Sequence, residues 1–330
     1  MKKLFGILIF SLFLHLSAFA VDFNLIEKDL KGDGLVGWIH GSVEDQSLFV
    51  FTYRNPENFF DYVQMSLISE DPAMMKQLAT FARHDKIKVK GEFFQTPSPQ
   101  RHIIVKTVEM VKKFTSGYPS DAYDHVAKIP DELTAINSAN FLVHAVAEEG
   151  QILVVEYKDA ILPIFVRNGA LTKNLFRNDI VQLNFRIQRS PNQPVHLRVN
   201  ETVPNAVKVI QSINAIDGKE GSIEGALVLF PKSPEITINV FAVEEKLTDG
   251  LKRQYTIVNF EDNDLFTKIR EKLQAKWDSL PGQYVNSRNK LVSNKLKVRV
   301  SGTFNNPTSS QANPQILIHS LDDVVITETP

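Results

Sequence analysis

The sequence predicts an all-β protein made of three tandem five-stranded barrels, with one helix between the third and fourth strands of each. Three observations predict this. First, one block is written three times: Lys86-Ile87-Lys88-Val89-Lys90-Gly91-Glu92-Phe93, a worn copy at Asp179-Ile180-Val181-Gln182-Leu183-Asn184-Phe185-Arg186, and Lys295-Leu296-Lys297-Val298-Arg299-Val300-Ser301-Gly302-Thr303-Phe304. Second, a shorter block recurs as Ile39-His40-Gly41, Val143-His144-Ala145 and Ile223-Glu224-Gly225. Third, the pattern strand, strand, strand, helix, strand, strand returns around each copy. A repeat of this kind is one structural unit per copy, so it speaks of architecture before activity.

In the first unit, Trp38 to Glu44 and Ser47 to Tyr53 read as strands around a Glu44-Asp45-Gln46 turn, and Tyr62 to Ser69 as a third. Asp71-Pro72 opens a short helix, Asp suiting the N-cap and Pro the first turn. Met74, Leu78 and Phe81 share its apolar face. From Lys86 the alternation is strict, Lys86, Lys88 and Lys90 on one side, Ile87 and Val89 on the other. Thr96-Pro97-Ser98-Pro99 turns the chain into a last strand from His102 to Val111.

The second unit runs through Phe141–Ala147, Gln151–Tyr157 and Ile161–Arg167, a helical stretch at Leu171–Phe176, the strand at Ile180, a Ser190–Pro194 turn and Val195–Val199. The third has strands at Ile223–Phe230, Thr237–Val243 and Gln254–Phe260. Its helix places Leu265, Phe266, Ile269, Leu273, Trp277 and Leu280 on one face. Strands at Lys295 and Gln315–Ile318 close it across the polar turn from Asn305 to Pro314.

A five-stranded unit with its helix between strands three and four resembles the OB-fold, a small Greek-key barrel. The resemblance spans nearly the whole chain after residue 20 and is to tandem OB-fold proteins of the exported bacterial type. The alternating basic strand followed by Gly-x-Phe is similar to the fourth OB strand, where Gly91 and Gly302 would permit the bend that closure needs. Immunoglobulin-like sandwiches compete, but these rarely set one helix at the same point in every unit. The resulting boundaries are a signal peptide at 1–20, a first barrel at 21–115, a linker plus second barrel at 116–213 and a third barrel at 214–330. Ser116 to Asp131 and Asn214 to Gly221 are the linker-like stretches.

Met1-Lys2-Lys3, the apolar run Leu4 to Leu16 and the small-x-small site Ala18-Phe19-Ala20 read as a secretory signal peptide cut before Val21. Its apolar run is short for a membrane span, and no later run reaches the ~18 apolar residues one requires. The expected location is periplasmic or secreted. With no Cys anywhere, there is no lipid-anchored N-terminus, disulfide, thiolate catalysis or Cys-ligated metal. The formal charge of −1 falls by two with the loss of Lys2 and Lys3, to −3. Such a near-neutral chain lacks the basic footprint of a nucleic-acid binder.

No H-E-x-x-H, G-x-S-x-G, Gly-rich phosphate loop or EF-hand spacing occurs, so the expectation is a non-catalytic protein without cofactor or metal. Glu261, Asp262 and Asp264 sit where the third helix starts and suit its dipole. His40 and His144 fall at one place in two units, which duplication explains. His102, His196 and His319 lie in last strands of separate barrels.

The Lys86, Lys88, Lys90 stripe and its Lys295, Lys297, Arg299 counterpart have three readings: a solvated face, a site for an anionic ligand such as a polysaccharide or an acidic protein, and a single-stranded nucleic-acid site. OB-folds bind single strands with basic faces and stacking aromatics, and Phe49, Phe51, Tyr53, Phe59, Phe60 and Tyr62 lie near. Yet period-2 Lys opposite Ile and Val is what any half-buried strand shows, and edge Lys discourages aggregation. The four-five loops are the preferred binding surface, with Phe93 and Phe94 at the first, Arg189 and Gln193 in the second, and Asn305 and Gln311 in the third. The expected partner is a protein or polysaccharide of the cell envelope. An envelope hydrolase with a dispersed acidic site and a single-stranded nucleic-acid binder are the alternatives.

Overall fold

The computed structural model describes residues 21–43, 48–56, 62–94, 101–119, 129–158, 160–189, 195–234, 236–287, 290–307 and 313–329. The expected leader at 1–20, the expected turns at Glu44-Asp45-Gln46, Thr96–Pro99 and Ser190–Pro194, and Phe59, Phe60, Gln193 and Gln311 lie outside these residues. The chain forms two compact units, Met1–Thr115 and Ser116–Pro330.

The first unit opens with α1 (Phe23–Lys31), which the repeat pattern does not announce. The Asp22 side chain accepts the Asn24 N–H at 2.9 Å to cap it, and Ile26 and Leu30, one turn apart, are buried. Then follow β1 (Leu35–Val43), β2 (Leu48–Arg54), β3 (Tyr62–Ile68), α2 (Pro72–Leu78), β4 (Lys86–Phe94) and β5 (His102–Lys112). These close a barrel in the order β1-β2-β3-β5-β4, antiparallel throughout except where β3 and β5 run parallel. Asp71 caps α2 through the Ala73 N–H at 2.8 Å, with Pro72 in the first turn. The interior holds Phe49, Phe51, Met65, Leu67, Ile87, Val89 and Ile103, all nearly inaccessible. Gly91 earns its place by contact: a Cβ there would lie 2.0 Å from the Ile104 carbonyl oxygen, where the register against β5 shifts.

The second unit contains two barrels. The first is built from α3 (Asp131–Thr134), β6 (Ser138–Ala147), β7 (Ile152–Tyr157), β8 (Ala160–Phe165), β9 (Ile180–Gln188), β10 (His196–Val199) and β11 (Val207–Gln211). Its strands pair in a circuit, β6 with β7, β7 with β8, β8 with β10, β10 with β9 and β9 back to β6, while β11 adds to β9. The other contains β12 (Glu220–Phe230), β13 (Val240–Lys246), β14 (Lys252–Val258), α4 (Asn263–Asp278), β15 (Tyr284–Ser287), β16 (Lys290–Asn305), β17 (Gln315–Leu317) and β18 (Val324–Glu328). Pairing runs from β12 through β13, β14, β17 and β16 back to β12. The topology is thus all-β with short helices, in tandem OB-like barrels.

Two of the expected elements take a different form. The helix expected at Leu171–Phe176 is a single 3-10 turn at Gly169–Leu171. The Asn168 side chain caps it at Ala170, the Thr172 hydroxyl donates to the Gly150 carbonyl, and a Cβ at Gly169 would lie 2.3 Å from the Glu149 carbonyl oxygen. The segment therefore packs on the β6–β7 turn instead of winding further. The fourth strand of the last barrel starts at Lys290 rather than Lys295, because β15 and β16 form an added hairpin. Within β16, Gly302 repeats the close approach of Gly91, its absent Cβ 2.0 Å from the Leu317 carbonyl oxygen.

One corner recurs in all three barrels ahead of the fourth-strand region. His84, Asn178 and Gly282 take φ of 68°, 70° and 72°. The next residues, Asp85, Asp179 and Gln283, donate their N–H groups to Ala82, Phe176 and Leu280 carbonyls at 3.1, 3.0 and 3.3 Å. His40 and His144 also share a structural role: the pairing of the first strand with the second slips across each of them, from Ile39 to Gly41 and from Val143 to Ala145. In the third barrel the pairing of the first strand with the second, Ala226–Phe230 against Val240–Glu244, begins after Glu224 and has no such slip.

Inside the second unit the two barrels are stitched together. Leu142, Ile180 and Leu251 are buried in one small cluster with Leu247 against it. The Asn178 amide donates to the Gln254 carbonyl at 2.9 Å, Arg177 donates to Asn313 at 2.5 Å, and Asn140 donates to Asp249 at 2.7 Å.

Candidate functional site

The end of β4 and the start of β5 bring together the base of the first four-five loop. Phe94 is 46% exposed, with the His102 ring 6.3 Å away. Phe93 is half-buried and meets Phe23 of α1 edge-on at 6.1 Å. The Arg101 guanidinium lies 3.9 Å above the Phe23 ring centre and 5.5 Å from that of Phe93. A guanidinium over an aromatic face is an attractive arrangement that keeps N–H donors at the surface. The repeat pattern does not include α1, although Asp22 at its N-cap and Phe23, Ile26 and Leu30 at helical spacing are a local signal for it; that Phe23 lies against Phe93 is a matter of tertiary packing.

The other loop residues are placed separately. Arg189 is exposed just after β9. Asn305 holds the base of its hairpin, its amide donating to the Gln315 side chain at 2.6 Å across the β16–β17 pair.

The lysine stripe does not form a uniform cationic face. Lys86 lies 5.4 Å from the Trp38 ring centre, Lys88 pairs with Glu109 at 2.9 Å, and Lys90 is exposed. Nearby, Lys106 pairs with Glu92 at 3.1 Å, and in the last barrel Arg299 pairs with Glu224 at 2.7 Å. Phe49 and Phe51 are core residues, 2% and 0% exposed, and so offer no stacking face.

A polar cluster in the last barrel carries no sequence motif. The Lys290 ammonium donates to the Glu244 carboxylate at 2.6 Å with both side chains about 5% exposed or less, and the Gln254 amide donates to the same oxygen at 2.7 Å. These residues come from β16, β13 and β14, so only the barrel circuit assembles them. Among the described residues no group of three His, Asp or Glu side chains is placed to hold a metal ion. No described helix is long and apolar enough to cross a membrane.

Fold and surface together define a protein of tandem OB-like barrels. No protein-family model matches the sequence, and comparison with curated proteins finds no match. Among solved structures, the chain is similar at 14% identity to one described as a murine DNA-binding protein bound with double-stranded DNA, covering 55% of this chain and all of that one, with a TM-score of 0.19. The tetrameric p202 HIN2 structure is 12% identical over 50% of this chain and 81% of its own, with a TM-score of 0.20. The p204 HINb domain is 12% identical over 55% and 96%, with a TM-score of 0.19. Superposition this poor carries no argument about what this chain binds.

Proposed function

We propose that the chain is an exported, non-catalytic binding or scaffolding protein that presents OB-like loops to a protein or polysaccharide of the bacterial cell envelope. The observation that supports it most is the surface at the β4–β5 loop, where exposed Phe94 stands beside His102 and Arg101 stacks on Phe93 and Phe23. An aromatic anchor with an oriented guanidinium on rigid strand ends is the kind of group that dominates recognition energies. Export rests on the leader pattern and predicts a mature N-terminus at Val21. Nucleic acid is placed below these partners because Lys88, Lys106 and Arg299 are matched by acids and the nearby Phe49 and Phe51 are core.

The test is a pull-down from a native envelope fraction with wild-type bait and with Phe94→Ala/Arg101→Ala bait. Loss of a specifically captured partner by roughly tenfold or more, with the bait still folded, is the expected result. Equal capture by both baits places the site elsewhere.

A further inference from the structure

The last barrel carries a groove of about 360 Å³ between α4 and the connection from β12 to β13. That volume is at the small end of ordinary ligand pockets, roughly 300–1,000 Å³. Its two walls are fixed to each other. The Asn239 side chain accepts the Lys232 backbone N–H at 2.9 Å and donates to Gln274 of α4 at 2.8 Å, and Gln274 donates in turn to Asp278 at 2.9 Å. Both amides are thereby engaged as scaffold, and Phe241, 3% exposed, belongs to the core beneath.

The groups left to meet a ligand are polar and stand apart from one another. Thr267, Arg270 and Glu271 line the groove from one face of α4, at positions i, i+3 and i+4, and Lys232 and Thr237 line it from the connection. Arg270 is half-buried and the other four are exposed. Among the described residues, Lys232, Arg270 and Glu271 form no ion pair, and the Thr237 and Thr267 hydroxyls form no hydrogen bond. Elsewhere opposite charges close up, as Lys88 does on Glu109 at 2.9 Å and Arg299 on Glu224 at 2.7 Å. Arg270 is held by packing, its guanidinium carbon 5.7 Å from the Phe266 ring centre, while its Nε is out of solvent with no acceptor among the described residues. A guanidinium held in place with its donors unmatched suits a carboxylate. A lone phosphate would meet the like charge of Glu271. An alkyl ligand finds one exposed apolar side chain in the lining, Ile238 at 40%, and a base or sugar finds no exposed aromatic ring there. Two cations, one carboxylate and two hydroxyls match a small molecule with two carboxylates and one ammonium.

We propose that this groove binds an acidic amino acid, its carboxylates on Lys232 and Arg270 and its ammonium on Glu271. The site uses no residue of the β4–β5 loop. The experiment is calorimetric titration of the full chain with L-glutamate, with glutarate, which has both carboxylates and no ammonium, and with inorganic phosphate. Wild-type protein should bind glutamate roughly tenfold or more tightly than glutarate or phosphate, a comparison that needs no variant to fold. Lys232→Gln and Arg270→Gln should each weaken glutamate by roughly tenfold or more. Glu271→Gln should weaken glutamate to the level of glutarate and leave glutarate no weaker. These variants should keep the wild-type unfolding midpoint, and Lys90→Glu and Phe94→Ala should bind as wild type. No glutamate binding, glutarate or phosphate bound as tightly as glutamate, or undiminished glutamate affinity in Lys232→Gln and Arg270→Gln would each overturn the proposal.

Discussion

The Asp179 carboxylate accepts the Ile213 backbone N–H at 2.7 Å, tying the residue before β9 to the chain that leaves its barrel. Its other oxygen accepts the Phe176 N–H at 2.8 Å. Asp85 does the same in the first barrel, accepting Phe114 at 3.0 Å and Ala82 at 2.8 Å, with Lys113 on the second oxygen at 2.6 Å. Both Asp residues are 2% exposed or less. The third barrel has Gln283 instead, whose side-chain oxygen takes the Ser293 hydroxyl of the added hairpin.

Removing either carboxylate should therefore cost more than an ordinary surface change. Asp85→Ala and Asp179→Ala each take the acceptor from two buried or part-buried N–H groups and should lower unfolding free energy by about 2 kcal/mol. Urea denaturation followed by circular dichroism reads this. A loss below ~0.5 kcal/mol at both sites would show that the corner folds without its clamp.

The Glu244–Lys290 pair should behave as a buried ion pair does. Glu244→Met alone leaves the Lys290 charge uncompensated and should destabilise by roughly 3–5 kcal/mol, whereas Glu244→Met with Lys290→Met should recover most of that loss. A double-mutant cycle from the same denaturation curves measures it. Purely additive losses would mean the two groups do not act on each other.

Tyr255 supplies the pH dependence. Burial pushes its phenol above the ordinary value of 10.0, opposed by Arg253, whose guanidinium donates to the hydroxyl at 3.4 Å. The folded state thus holds the proton longer than the unfolded one. Stability is fully present below the unfolded value near 10.0 and is lost as pH rises from there through the raised folded value. Thermal melts between pH 9 and about 11.5 should fall more steeply for wild type than for Tyr255→Phe. Parallel curves would assign the alkaline loss to other groups.

The first unit has its own core, centred on residues such as Val89 at 0% exposure. Val89→Asp should destabilise that unit by roughly 3–5 kcal/mol through a buried charge. Hydrogen exchange should then rise across β1–β5 while β12–β16 keep wild-type protection. Equal loss of protection in both would show a single cooperative fold. Leu251→Asp, by contrast, strikes the cluster shared by the two barrels of the second unit and should raise exchange in β6 and β14 together.

Most of the barrel strands were legible because the signal is local. Period-2 alternation at Lys86–Lys90 places Ile87 and Val89 inward whatever surrounds them, and Asp71-Pro72 starts α2 by its own chemistry. Gly91 and Gly302 could be read as bends because only glycine tolerates so close a carbonyl. At the candidate site, Phe94 is exposed beside its loop, as its place at a strand end suggests, but Phe93 is turned onto Phe23 of α1, a helix that lies outside the repeat and whose contact with β4 is not written in either segment.

The sequence by itself determined the repeat, from matching blocks at Lys86, Asp179 and Lys295, and most of the succession of strands along the chain and their inward-facing residues, which are written in neighbours a few positions apart. Only the tertiary structure decided which polar groups meet. Glu244, Gln254 and Lys290 are brought together by pairing across β13, β14 and the β16 hairpin, and Asp179 meets Ile213 because β11 pairs beside β9, Gln211 opposite Ile180. Hydrophobic periodicity records which face of a strand is buried, but it carries no information on which distant strand will lie against it.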